Sequence, residues 1–144
     1  MMHNLFDFAS QNALLVTIFF GLIVAIIVVE IQILTRGFKE VSPILATGLI
    51  NREDALIIDV NPAAEFQKGH VIHAKNFPHS QFDSALPGLD RHKERTVLVC
   101  CKQGQLAPAI CKRLVKAGFG KVFMLKGGVS AWQADNLPLS TGRK

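Results

Sequence analysis

The residues of this chain best suited to chemistry sit in the run Thr96-Val97-Leu98-Val99-Cys100-Cys101-Lys102-Gln103-Gly104-Gln105-Leu106-Ala107-Pro108. A cysteine becomes a nucleophile as its thiolate, and a nearby positive field favours that form. Thr96 to Cys100 is short, apolar and rich in β-branched residues, as a fully buried strand should be. From Ile110 the period changes: Ile110, Cys111, Leu114 and Val115 share one helical face, with Lys112, Arg113 and Lys116 on the other. Pro108 fits only the first turn of that helix, where its missing N–H costs nothing. Cys101 therefore falls between a strand end and a helix N-terminus, where free N–H groups and the positive end of the helix dipole favour an anion. A thiol so placed ionises readily and acts as a nucleophile near neutral pH. Lys102 adds a cation to the loop, and Gly104 supplies the backbone freedom that the loop needs. Cys100 points to the opposite side of the strand, and Cys111 lies on the apolar helix face, so both read as core.

The elements that must position this loop can be read on either side of it. Ser42-Pro43 is an N-cap followed by proline at the first helical position, opening a helix through Leu49. Ala55 to Val60 is an almost wholly apolar strand carrying Asp59 near its end. Pro62 to Gln67 reads as a short helix and Lys75 to Phe77 as a second short strand. Phe82 to Leu86 forms a helical turn that Pro87-Gly88 should break. Gly127-Gly128 is a turn entering the last helix, its amides expected on the far wall of the pocket, and Trp132 should cover the sheet edge. Strands alternating with helices predict an α/β fold with a mostly parallel central sheet flanked by helices. His70 and His73 are spaced as weak metal ligands, but no cysteine or carboxylate completes a set. The sequence predicts no metal site and no cofactor.

Several ordered motifs carry a family resemblance. Cys101-x-x-Gly104, Lys116-Ala117-Gly118-Phe119, the run Val122 to Trp132 and Leu137-Pro138 resemble the second half of a rhodanese domain. Ile57-Ile58-Asp59-Val60, Glu65-Phe66, Gly69-His70-Val71 and Ala74-Lys75-Asn76-Phe77-Pro78 match its first half, in order. The resemblance spans roughly 41–139. It implies a catalytic Cys101 and a loop in which the five following residues, Lys102, Gln103, Gly104, Gln105 and Leu106, cup a terminal sulfur with their amides. Ala107 closes the substrate-binding stretch, with Asp59 and Asn61 in support. It also places Gly69-His70 in a turn. Two positions depart from the pattern. The family continues Asp-x-Arg where this chain has Asp59-Val60-Asn61, which removes a cation near the site. Ala107 stands where many members carry a hydroxyl.

The N-terminal region belongs to a different regime. Ala13 to Val29 is an uninterrupted apolar run of seventeen residues, about 26 Å as a helix against a bilayer core of roughly 30 Å. Ile31, Ile33 and Leu34 extend it, with Glu30 and Gln32 at headgroup depth. A buried core helix would keep a polar face, and none exists before Glu30. A cleaved signal peptide would need positive charge ahead of the run and a small-x-small site after it. The expectation is a single-pass anchor over 13–34, after a short extracytoplasmic segment at 1–12. A linker at 35–40, the rhodanese-like domain at 41–139 and a tail at 140–144 follow. Arg36 and Lys39 come after the span, and before it stand only Asp7 and the α-amine, so the positive-inside rule puts the domain in the cytoplasm at the inner (plasma) membrane. A reducing compartment suits three cysteines without framework spacing.

From Thr35 onward sixteen Lys and Arg face nine Asp and Glu, so a tethered domain would be drawn to an anionic leaflet. Nucleic acid is not expected as a partner, since the basic residues are scattered and no stacking aromatics are interleaved. Three chemistries suit the cysteine loop. A sulfurtransferase would take sulfur from thiosulfate or a persulfide onto Cys101 and give it to a thiol acceptor. A binding or scaffold module would present the fold to a membrane-protein partner with little turnover. A phosphatase of the Cys-x5-Arg kind needs arginine at position 107, where Ala107 stands, and is set aside.

Overall fold

The computed structural model describes Asp7, Phe8 and residues 10–142, so parts of the N-terminal segment at 1–12 and the tail at 140–144 lie outside the described residues. The chain divides into two units, Met1–Arg36 and Gly37–Lys144.

The first unit is built on one helix, α1 (Ala13–Leu34), of 22 residues. Its mean hydropathy reaches 3.0 and none of it is buried. A rise of about 1.5 Å per residue makes it about 33 Å long, enough to cross a bilayer core. Its one hydroxyl is satisfied locally: Thr17 Oγ1 donates to the Ala13 carbonyl at 2.8 Å, so that group does not face an apolar surround unpaired. Thr35 Oγ1 does the same to Ile31 at the end.

The second unit holds a five-stranded parallel sheet formed by β1 (Lys39–Val41), β2 (Leu56–Asp59), β4 (Lys75–Asn76), β5 (Val97–Cys100) and β6 (Val122–Leu125) in the order β1-β6-β5-β2-β4. The two remaining strands, β3 (His70–Val71) and β7 (Leu139–Ser140), pair antiparallel as a separate ribbon. Strand alternation sorts the core into two layers. Ile58, Val60, Val97, Val99 and Cys101 face one side, with α4 (Phe82–Ala85) and α5 (Ala107–Lys116) over them. Ile57, Leu98, Cys100 and Leu125 face the other, under α2 (Pro43–Glu53), α3 (Ala63–Lys68) and α6 (Gly128–Ala134). Both faces are covered, which is why the central strands read as unbroken apolar runs. On α5, Ile110, Cys111 and Leu114 are fully buried. Each of the two larger aliphatics stabilises the layer by roughly 1.5–3 kcal/mol relative to exposure.

The structure departs from the sequence reading in four places. Helix α2 runs four residues past Leu49, because nothing stops it until Asp54 adopts a left-handed φ of 48°. Pro87-Gly88 does not break the chain out of helix: a 3-10 stretch, Leu86–His92, follows α4, and Pro87 sits in its first turn where no N–H is needed. His70 is in β3 rather than a turn, with Nδ1 hydrogen-bonded to the Phe66 carbonyl at 2.8 Å and its ring stacked on Phe66. Strand β1 starts inside the stretch read as a linker, pairing Lys39 with Phe123.

Candidate active site

The site is built where parallel strands end. Asp59 closes β2 and lies in register with Cys100, which closes β5, so the segments leaving both strands emerge side by side. In open α/β sheets this carboxyl edge is where ligands bind. Asp59 is fully buried and folds back on its own chain, Oδ1 accepting the Asn61 N–H at 2.8 Å. Its Oδ2 has no hydrogen-bond partner among the described residues. Burial raises the Asp59 pKa, opposed by hydrogen bonds from the Asn61 backbone and side chain and by the nearby His70.

Asn61 then reaches across to the cysteine loop. It is 4% exposed, and its Oδ1 accepts the Lys102 N–H at 2.9 Å. Asn76, at the end of β4, donates from Nδ2 to the carbonyls of Asp59 (3.1 Å) and Asn61 (2.8 Å). Three strand ends are thereby tied to one loop.

Cys101 follows β5 directly and is 1% exposed, with Sγ accepting the Gly104 N–H at 3.1 Å. That bond requires the loop to turn back sharply, and Gly104 does so at a φ of 85°. Behind the loop, the Val129 and Ser130 amides of α6 bind the carbonyls of Cys101 (2.8 Å) and Lys102 (2.9 Å). Gly128 makes the approach possible. A Cβ there would lie 2.1 Å from the Cys101 carbonyl oxygen and 2.8 Å from the Gly104 nitrogen. Gly128 thus lets the Val129 and Ser130 amides brace the loop from behind.

A cleft of about 240 Å³ opens at the loop, lined by Asn61, Cys101, Lys102, Gln103, Gln105 and Leu106. The amides of Gln103, Gln105 and Leu106 have no hydrogen-bond partner among the described residues, whereas the Lys102 amide is spent on Asn61. Ala107 is fully buried in the core layer, away from the cleft wall.

The family model for the Rhodanese-like domain matches residues 42–135. The chain belongs to the rhodanese-like domain family. Among curated relatives, protein YibN of Escherichia coli (strain K12) is 34% identical over 143 residues, covering 99% of this chain and 100% of that one. A sulfurtransferase of Allochromatium vinosum is 30% identical over 95 residues, 66% of this chain and 87% of its own. A rhodanese-related protein from Thermoplasma volcanium has the same fold, with a TM-score of 0.65 at 18% identity over 72% of this chain and 99% of that one.

Within this rhodanese-like frame a row of charges runs beside the Cys101 loop. Lys102 Nζ pairs with Glu65 Oε2 at 2.9 Å, and Lys68 Nζ holds Glu65 Oε1 at 2.5 Å. Hydrogen bonds from Lys68 and then Lys102, with their charges, lower the Glu65 pKa to about 2. Neither residue is a site residue on the sequence reading: Glu65 enters there only through the Glu65-Phe66 match, and Lys68 does not enter at all. The signal available was their i, i+3 spacing on the short helix just after Asp59. Burial pushes the other thiols up, Cys100 well above the usual value and Cys111 to about 12.

Proposed function

We propose that this chain is a membrane-tethered sulfurtransferase that carries sulfane sulfur as a persulfide on Cys101. The observation that carries the reading is the placement of Cys101 Sγ at the carboxyl edge of the sheet, in a cleft bordered by unpaired loop amides. In the first half-reaction the Cys101 thiolate attacks the outer sulfur of thiosulfate, and the S–S bond breaks as sulfite leaves with the electron pair. With a persulfide donor the leaving group is the donor's thiolate. In the second, an acceptor thiolate attacks the outer sulfur of the Cys101 persulfide, takes it as a new persulfide, and restores the Cys101 thiolate. Loop amides stabilise negative charge on the terminal sulfur at each stage. Helix α1 supplies the tether, and Arg36 and Lys39 after it favour a cytoplasmic domain.

Asn61 shapes the choice of donor. With no guanidinium at that position and with the Lys102 charge opposed by Glu65, the cleft offers little to a dianion. A persulfide of low charge is the better donor, and thiosulfate the poorer one.

Intact mass of the full chain in detergent after exposure to each donor tests the chemistry. One added sulfur, about 32 Da, should appear and be absent in Cys101→Ser. A second reading, a rhodanese-fold binding module at the membrane with little turnover, draws on the 1% exposure of Cys101 and on Asn61. No added sulfur from any donor would select it.

A further inference from the structure

A second cleft adjoins the one at Cys101. It has a volume of about 200 Å³, and its polar wall is made by Asn61, Glu65, Lys68, Lys102, Ser130 and Gln133. Asn61 and Lys102 line both clefts, so the two share a wall at the residue that follows Cys101. Nothing in the chemistry of Cys101 itself requires Glu65, a carboxylate held ionised down to a pH of about 2 and paired to Lys102, the residue after a nucleophile that must attract anions.

We propose that this second cleft binds the amino-acid head group of a sulfur donor, with the donor's ammonium on Glu65 and its carboxylate on Lys68 and Lys102. The inference rests on the reading of Cys101 as a sulfur carrier. The three charged groups keep bonding capacity after their mutual contacts. A carboxylate has about four acceptor sites, and Glu65 shows two of them used, one by each lysine. Each ammonium has three donors, and one is committed to Glu65 in each case. The row Lys68–Glu65–Lys102 is thus cation, anion, cation, with a hydroxyl at Ser130 and an amide at Gln133 along the same wall. A zwitterion complements every charge in that row. An inorganic dianion meets a permanent carboxylate, and a simple alkyl persulfide leaves the charges unused.

The head group also sits at the correct end of the reaction. With its charged end in the second cleft, an amino-acid persulfide extends its sulfur chain past Asn61 and Lys102 toward Cys101. Cys101 Sγ forms a bond to the outer sulfur, the donor's S–S bond breaks, and the amino-acid thiolate leaves with the electron pair. The displaced thiolate stays next to Lys102 until the head group departs.

The test uses full-length chain in detergent and three donors: the persulfides of cysteine, of 3-mercaptopropionate, which lacks the ammonium, and of cysteamine, which lacks the carboxylate. The initial rate of sulfur gain at Cys101, read by intact mass against donor concentration, gives a half-saturating concentration for each. In the wild type the cysteine persulfide should half-saturate about tenfold lower than either analogue, the worth of one charge-assisted contact. Glu65→Gln should erase the preference over 3-mercaptopropionate persulfide. Lys68→Gln, at a side chain 71% exposed that can change without disturbing the fold, should weaken the preference over cysteamine persulfide, with Lys102 still holding the carboxylate. Equal half-saturation by all three donors in the wild type would overturn the proposal, as would preferences that persist unchanged in both variants. Sulfur gain from all three without discrimination leaves Cys101 a carrier and removes only the subsite. No gain from any donor, thiosulfate included, removes both.

Discussion

Replacing Gly128 by alanine should loosen the cysteine loop and the domain together. The added Cβ would fall 2.1 Å from the Cys101 carbonyl oxygen, 2.7 Å from that of Lys102 and 2.8 Å from the Gly104 nitrogen. All three are backbone atoms of the loop, so no flexible side chain can yield. Gly128 also has a φ of 65°, a conformation that costs an L residue roughly 1–2 kcal/mol. Forcing a methyl into packed surroundings adds typically about 1–3 kcal/mol. The sum, roughly 2–5 kcal/mol, is a large part of the roughly 5–15 kcal/mol that holds a domain folded. Trp132, the single tryptophan, is buried on the same helix with Nε1 donating to the Pro138 carbonyl at 3.0 Å, and its fluorescence reports unfolding. With a urea m-value of about 2 kcal/mol/M, the midpoint should drop by about 1 M or more. Cys101 should lose its fixed contact with the Gly104 amide, and sulfur loading should fall with it. Gly48→Ala is the control, since nothing lies within 4 Å of its added carbon on α2 and alanine favours the helix by roughly 0.5–1 kcal/mol. A Gly128→Ala midpoint within about 0.2 M of wild type, with loading unchanged, would refute the bracing role.

Four further outcomes are expected. Alkylation mapped by peptide mass across pH 6–9 should reach Cys101 first, because burial holds Cys111 near 12 and Cys100 well above its usual value; simultaneous labelling of all three would remove Cys101 as the nucleophile. Carbon-detected NMR should place the Glu65 titration near pH 2, and Lys68→Ala should move it up toward the ordinary carboxylate range. Because that pKa is depressed, the stability it contributes is present above the unfolded value of about 4.3 and is lost as pH falls toward 2, so a midpoint near 4 would contradict the double ion pair. The full chain should resist carbonate extraction, and deletion of 1–34, which leaves β1 intact, should release it. In intact spheroplasts, protease should spare the domain; its digestion there would reverse the topology.

The strand, loop and helix around Cys101 were legible because each leaves a local mark: an apolar run, a proline at the second helical position, a change of period at Ile110. The parallel sheet followed from alternation, since buried strands with covered faces leave little else. What escaped was set by partners distant in sequence. Lys39 and Glu40 are both charged and look like linker until β6 supplies their hydrogen bonds. His70 looks like turn until β7 pairs with it. Asn61 could be seen as a missing arginine, but its bond to the Lys102 amide, 41 residues on, could not. Glu65 showed as part of a family motif, and its ion pairs needed α3 and the loop to be placed together.

The opposed directions of Cys100 and Cys101 have a consequence for the lifetime of carried sulfur. Adjacent thiols invite resolution, in which one attacks a persulfide on the other and expels hydrosulfide as a disulfide closes. Here Cys100 lies in the layer under α3 and α6, its Sγ 3.6 Å from the Ile58 carbonyl, while Cys101 faces the layer of α5. Cys111 shares the Cys101 side, but burial keeps it protonated to about pH 12, and a thiol in that state does not attack. On the proposed reading, sulfur loaded on Cys101 would therefore have no internal exit. How long the chain would stay charged is then decided outside it, by the supply of acceptor at the mouth of the cleft.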